Sequence, residues 1–238
     1  MAKTFLQAIN EVHGFLRRDE TGTGVTTINQ DADTVVIAKF INEAKRRVEG
    51  VWKWNTLRTT ITFASVVSTA IYDTSDLAVV SSDPTVTNDR SELLTYKDGS
   101  PLFWDVTVAN AGFQMRRVPR DWALGEYRQS QITNSVPDMI AVYRSGNGLS
   151  VLFPYPPGAV RNYSFEVYTP QAELTLAADS ITAPWRPIVL LATALAAGER
   201  GDVFGVDPGT YLDLYAQSIE EEMAFDKTED DDDALEPV

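Results

Sequence analysis

The spacing of apolar residues changes twice along the chain, and this limits the fold more than any other feature. Apolar residues first recur every three or four positions, over 4–18 and then over 33–54. From Leu57 they alternate with polar residues, as in a half-buried strand, and helical spacing returns after residue 184. Helices at both ends of a block of strands predict an α+β fold and disfavour alternating βαβ units.

The same order predicts the domains. The N- and C-terminal helices, 1–56 and 180–226, are expected to form one helical bundle, with an inserted, mainly antiparallel β domain over 57–179. Ten of the 34 acidic residues but only one lysine lie from Glu220 onward, so 227–238 are expected to form a flexible acidic tail. The predicted strands are 57–64, 69–72, 91–97, 102–108, 138–144, 149–153 and 162–169.

Each helix has its own signals. Thr4 is a possible cap of the first helix, and Asp207-Pro208 is typical of the start of the last one. The segment Ile188–Glu199 is almost entirely apolar or small and is expected to be buried. The second helix should bury Ile37, Phe40, Ile41, Ala44, Val48, Val51 and Trp52, with Lys39, Lys45, Arg46 and Glu49 mostly on its other face. The last helix should have one face formed by Tyr211, Leu214, Tyr215, Ile219 and Met223.

Three tryptophans lie where predicted helices begin or end. Trp52 and Trp54 are two residues apart, so on one helix they point about 200° from each other and cannot form one ligand platform. Trp52 is expected in the core of the helical stripe, and Trp54 at the seam between helix and sheet. Trp185, just before the buried helix, has the same core or seam interpretation, and its indole N–H needs a partner if it is buried.

The sequence lacks the residues that most catalytic mechanisms require. The chain has no cysteine and one histidine, His13, for which a surface or packing role is expected, and it has no P-loop motif. The net charge of −14 disfavours tight binding to duplex DNA, and the cluster Arg116–Arg120 is expected to form salt bridges at a strand end. A pair of carboxylates, as in glycoside hydrolases, is the only catalytic arrangement that the composition does not disfavour. We therefore expect no enzyme, cofactor or metal, and no membrane span, because the longest apolar run is too short.

Four segments occur in an order that resembles the head-to-tail adaptor proteins of tailed bacteriophages. They are the N-terminal helix FLQAINEVHGFL, the long helix INEAKRRVEGVWKWNTLR, the hairpin region SVPDMIAVYRSGNGLSVLFPYPPGAVRNYSFEVY, and PWRPIVLLATALAAGERGD before a tyrosine-rich helix. The chain is similar to the families of tail tubular protein A and of head-completion factors. Residues 65–134 carry little of this pattern.

The resemblance implies a structural protein of the virion, made in the host cytoplasm and located at the head–tail junction. Copies of the chain would form a ring, of about twelve subunits, that closes by rotation. The ring would bind the portal protein on one side and the tail nozzle or tail tube on the other, and double-stranded DNA would pass through its lumen without specific binding. Candidate partner contacts lie in the C-terminal part: Tyr215, Met223, Phe225, Asp230, Asp231 and Asp232. Met223 and Phe225 could equally belong to the frayed last turn of the final helix.

A different class of function stays open beside this one. The five tryptophans and nine tyrosines could stack on sugars, and a carboxylate pair could hydrolyse them, as in a virion-associated carbohydrate-binding or carbohydrate-degrading β protein. A DNA-mimicking acidic tail ranks last, because its acidic residues form one short block and do not cover a surface.

Overall fold

The computed structural model describes residues 2–16, 24–73, 90–108, 112–129, 136–145, 148–200 and 207–229. Within these ranges the fold is mixed α and β, with five α-helices and two mainly antiparallel sheets. The helices are α1 (Phe5–Phe15), α2 (Ala32–Val51), α3 (Arg120–Gln129), α4 (Trp185–Arg200) and α5 (Pro208–Glu229). The strands are β1 (Arg58–Ala64), β2 (Ile71–Asp73), β3 (Glu92–Leu93), β4 (Phe103–Asp105), β5 (Phe113–Gln114), β6 (Arg116–Arg117), β7 (Met139–Ser145), β8 (Gly148–Leu152) and β9 (Asn162–Tyr168).

The chain divides into two compact units. The helical unit comprises the described residues of Met1–Leu57 and Gln171–Asp231, and the sheet unit comprises those of Arg58–Pro170. The first crossing lies next to the expected boundary after residue 56. The return crossing comes earlier than the expected residue 180, because 171–179 hydrogen-bonds to α1 and α2.

Three helices of the helical unit begin at side-chain caps. The Thr4 side chain accepts from the Gln7 backbone N–H, and the Gln7 side chain accepts from the Thr4 N–H, so α1 starts with a capping box. Asp31 caps α2 through the Thr34 N–H at 2.7 Å. Asp207 accepts from the N–H groups of Gly209 and Thr210 at 3.1 Å, which confirms the predicted start of α5.

α4 is the central helix of this unit and packs against α1, α2 and α5. It is buried on most sides, as its apolar and small side chains predict; the buried residues include Ile188, Val189, Leu191, Ala192, Ala194 and Ala197. Pro187 lies in the first turn, where its missing N–H has no helical partner to lose.

The prediction for the faces of α2 was partly wrong. Lys45 and Glu49 are 2% exposed, although they were placed on the outer face, and Val51, expected in the core, is 46% exposed. An irregular segment, 171–184, causes the difference, because it covers the side of α2 that carries the two charged residues. Lys45 Nζ donates to the carbonyls of Gln171 and Ala172 at 2.7 and 2.9 Å and to Glu49 at 3.2 Å.

The sheet unit is two sheets packed face to face. The first has the order β1-β9-β4-β5, with β3 also pairing with β9, and the second has the order β2-β8-β7-β6. All pairs are antiparallel except β6 with β7. The predicted hairpin is present as β7 and β8, with Ser145 opposite Gly148; Gly146 and Asn147 lie outside the described residues.

Alternate residues of both sheets point into one core rich in aromatic rings. Phe103 and Phe165 stack with centroids 4.9 Å apart, and Met115 enters this core where the chain crosses from β5 to β6. The core residues are Ile61, Phe63, Tyr72, Phe103, Met115, Ile140, Val142, Leu149, Val151, Phe153, Tyr163, Phe165 and Val167.

Helix α3 was not predicted, because residues 57–179 were expected to form a β domain. It covers the outer face of the second sheet through Ala123, which packs with Ala141 and Leu152. β8 is therefore buried on both faces. Arg116 and Arg117, expected at a strand end, form the edge strand β6 and are exposed, and Arg120 lies 4.6 Å above the ring of Tyr143.

Candidate interaction surface

The predicted partner contacts that the structure describes all lie on α5, and they differ in exposure. Phe225 is 74% exposed, whereas Tyr215 and Met223 are half-buried. Burial raises the pKa of the Tyr215 hydroxyl, although nearby Arg47 opposes the shift. Asp230, Asp231 and Asp232 lie outside the described residues. Of the six predicted contacts, Phe225 is the one whose position gives a partner direct access to an apolar side chain.

Only one side of α5 is covered by the helical unit. Ser218 and Ile219 are buried, but Leu214, which was assigned to the same apolar face as Ile219, is 40% exposed, and Leu212 is 46% exposed. Leu214 lines a groove beside α4 and is open to solvent there. An α-helix with several exposed large apolar residues is a candidate site for protein association.

The last turns of α5 are tied to the end of α2. Asp226 accepts a hydrogen bond from Trp52 Nε1 at 2.7 Å and from the Asn55 N–H at 3.2 Å. Its carbonyl accepts from Asn55 Nδ2 at 3.2 Å, and Lys227 Nζ lies 4.9 Å above the Trp52 ring. Phe225 lies next to Asp226, which makes these contacts, and α5 continues beyond it to Glu229.

The three tryptophans occupy different environments, all within the helical unit. Trp54 is 1% exposed, and its indole N–H donates to the Val48 carbonyl at 2.8 Å. Trp52, expected in the core stripe, is half-buried at the end of α2, where Asp226 binds its N–H. Trp185 is half-buried at the start of α4, with Lys3 Nζ 3.5 Å above its ring. Trp52 and Trp54 form no common platform.

Two grooves lie along the exposed flank of α5. The larger, of about 570 Å³, is lined by Trp54, Trp185, Glu222, Phe225 and Asp226, together with the segment Ser180–Pro184. The smaller, of about 290 Å³, is mostly apolar, and its lining includes Phe15, Val189, Leu190, Tyr211 and Leu214. Trp185 lines both grooves. Sequence reasoning missed them, because their walls come from segments that are far apart in the chain.

Three carboxylates among the described residues accept hydrogen bonds from residues just after them in the chain. Asp31, Asp98 and Asp207 each accept hydrogen bonds from a residue two or three positions later, mainly Thr34, Ser100 and Thr210, and these bonds lower the pKa of each carboxyl. A catalytic general acid needs the opposite shift. His13 is buried beside the Thr34 hydroxyl at 3.3 Å.

Two further observations bear on function. The described part of the chain contains no group of three or more histidine, aspartate or glutamate side chains arranged to hold a metal ion. None of its described helices combines the length and the hydropathy that a membrane span requires.

No protein-family model matches the chain, and no curated protein sequence matches it significantly.

Proposed function

We propose that the chain is a structural virion protein of a tailed bacteriophage, which forms a ring between the capsid portal and the tail. The four ordered segments that resemble head-to-tail adaptor proteins are the sequence basis of this proposal. In it, the terminal helices form a helical domain that makes the body of the ring, and a β domain is inserted between them. DNA passes through the lumen, where acidic walls would repel it and prevent tight binding.

The observation that supports assembly best is the exposure of large apolar side chains on two flanks of α5. Leu214 and Phe225, 40% and 74% exposed, lie on one flank, and Leu212, 46% exposed, points about 200° away from Leu214, while a third side of the helix packs in the helical unit. A closed ring needs two different surfaces on each copy, one for each neighbour, and the partners above and below need further surfaces. Exposed apolar side chains on two flanks of one helix are suited to such interfaces, because burying them removes nonpolar area from water.

The test is the mass of the full chain in solution, alone and co-expressed with the portal protein of the same genome. Size-exclusion chromatography with light scattering should give a species of about twelve times 26.3 kDa, or a complex with the portal. The double variant Leu212→Ser, Phe225→Ser should reduce assembly, whereas Leu176→Ser, which changes a 64% exposed leucine outside α5, should not. A chain that stays monomeric with and without the portal contradicts the proposal.

A further inference from the structure

We infer that the two grooves beside α5 form one docking site for a partner segment that carries an arginine or lysine near a bulky apolar residue. The larger groove would take the cationic side chain and the smaller one the apolar side chain. The inference deepens the proposed function, and it rests on that function only for the identity of the partner, a segment of the portal or tail protein.

The larger groove combines aromatic rings with carboxylates. Phe225, which is 74% exposed, and the half-buried Trp185 line it beside Glu222 and Asp226, and Trp54, which is 1% exposed, lies at its buried wall; its lining includes no lysine or arginine. Aromatic faces and carboxylates are the groups that bind guanidinium and ammonium ions, the former by cation–π contact and the latter by charge-assisted hydrogen bonds. This pocket is therefore selective for a cation.

Glu222 is the carboxylate available to a ligand. Asp226 already accepts hydrogen bonds from Trp52 and Asn55, which orient it within the helical unit. Glu222 has no hydrogen-bond or ion-pair partner among the described residues, and it is half-buried. A guanidinium placed in the groove would give this carboxylate a partner.

Trp185 already binds a cation within the chain. Lys3 Nζ lies 3.5 Å above its ring and also pairs with Glu11. The Lys3 ammonium therefore occupies this face of the ring, and the Glu11 carboxylate offsets its charge, so a ligand cation would bind beside Glu222 and Phe225. Because Trp185 lines both grooves, it places the cationic and the apolar compartments next to each other.

The smaller groove selects an apolar side chain. Its lining is mostly apolar, with the rings of Phe15 and Tyr211, whose centroids are 5.7 Å apart, and the aliphatic chains of Val189, Leu190 and Leu214; it also includes Trp185 and the charged Glu11 and Arg186. The carboxylates of the larger groove disfavour the chain's own acidic C-terminal segment as the occupant, since like charges repel. A basic, amphipathic segment of another protein is complementary to both compartments.

The probe is a dye-labelled hexapeptide with one arginine and one leucine separated by two alanines, and binding to the full chain is followed by fluorescence anisotropy. This readout works for a monomer and for a ring, so it does not depend on assembly. We expect saturable binding with a Kd of about 1 mM or tighter. Replacing the arginine by citrulline, which keeps the shape and removes the charge, should weaken binding about tenfold. Replacing the leucine by serine should also weaken it.

Variants assign each preference to its groove. Glu222→Gln should abolish the preference for arginine over citrulline, whereas the control Glu220→Gln, an equal charge change at an exposed position outside the lining, should keep it. Leu214→Ser should abolish the preference for leucine over serine and leave the arginine preference intact.

Two results would overturn the inference. One is the absence of saturable binding. The other is an equal loss of the arginine preference in Glu220→Gln, which would mean non-specific attraction to an acidic protein. A chain that binds the peptide as expected but neither assembles nor joins a portal supports the docking site and contradicts the phage-ring proposal.

Discussion

The two units of the chain satisfy buried polar groups by different means. In the sheet unit the paired strands satisfy their own backbone groups, and the interior is filled with the contacting rings of Phe63, Tyr72, Phe103, Phe153, Tyr163 and Phe165. In the helical unit the irregular segment 171–184 lies against α1 and α2, and side chains of α2 bind its backbone. A buried segment without secondary structure needs such partners, because each unpaired backbone group costs free energy. This explains why charged residues are buried in the helical unit.

The largest expected effect is the loss of an aromatic ring from the sheet core. Phe103 is fully buried and stacks on Phe165, so Phe103→Ala should lower the free energy of unfolding of the sheet unit by about 3–5 kcal/mol. Phe113→Ala is the control, because Phe113 lies on the neighbouring strand β5 and is 38% exposed. Hydrogen-exchange mass spectrometry in urea, followed in peptides of each unit, measures both. Equal losses in the two variants would contradict the packing argument.

The second prediction tests the buried polar and charged groups of the helical unit. Lys45→Met removes the donor to the Gln171 and Ala172 carbonyls and the cation beside the buried Glu49 carboxylate, which keeps its hydrogen bond from the Gln171 N–H, so the helical unit should lose about 3 kcal/mol of stability. The double variant Lys45→Met, Glu49→Leu also removes the carboxylate that lost its cation and should recover part of that loss. The same exchange experiment reads the stability of α2. If the double variant is the less stable of the two, the buried pair is not the reason for the loss.

The sequence predicts the helical unit better than the sheet unit, and the reasons are physical. α1, α2, α4 and α5 have apolar spacing, and α1 and α5 also have recognisable capping residues, Thr4 and Asp207; both are local signals. α3 has a single buried residue, Ala123, and Gly125 in its middle, so its apolar pattern is too weak to indicate a helix. The burial of Lys45 and Glu49 was missed because their partners, Gln171 and Ala172, are more than a hundred residues away in the chain.

The candidate surface was less predictable than the fold. Phe225 was identified because it precedes an acidic run, but the groove beside it also needs Trp54, Trp185 and Ser180–Pro184. Nothing in the local sequence of these segments indicates that they meet. A groove formed by distant segments becomes visible only when the packing of α4 and α5 is known.

A third prediction concerns the ion pair of Asp105 and Arg161 in the sheet unit. Asp105 is 3% exposed; burial raises its pKa, but hydrogen bonds from Thr107 and Arg161 outweigh this and hold the pKa below its ordinary value. A carboxylate with a lowered pKa stabilises the fold above its unfolded-state pKa of about 3.8, and the stabilisation is lost as the pH falls through the folded value. The sheet unit should therefore lose stability below about pH 4.

Asp105→Asn should remove this part of the acid dependence and lower stability at neutral pH by about 2 kcal/mol, since Arg161 loses a charged partner. Urea unfolding at a series of pH values, with exchange peptides from β4 and β9, gives the measurement. The control is Asp98→Asn, which changes an exposed turn carboxylate and should leave the buried pair's contribution to the pH dependence in place. An unchanged acid profile in Asp105→Asn would assign the acid sensitivity to other carboxylates.

The smallest expected effect concerns the last turns of α5, at the surface of the helical unit. Asp226→Ala removes the acceptor of the Trp52 and Asn55 hydrogen bonds, and we expect a local loss of about 1 kcal/mol in the last turns of α5. Faster hydrogen exchange should be confined to the C-terminal turns, because Ser218 and Ile219 still anchor the middle of the helix. Asp213→Ala, at an exposed position on the same helix, should not change exchange there. If α5 loosens along its whole length, the helix is held mainly by its end, and the groove beside Phe225 depends on the Asp226 contacts.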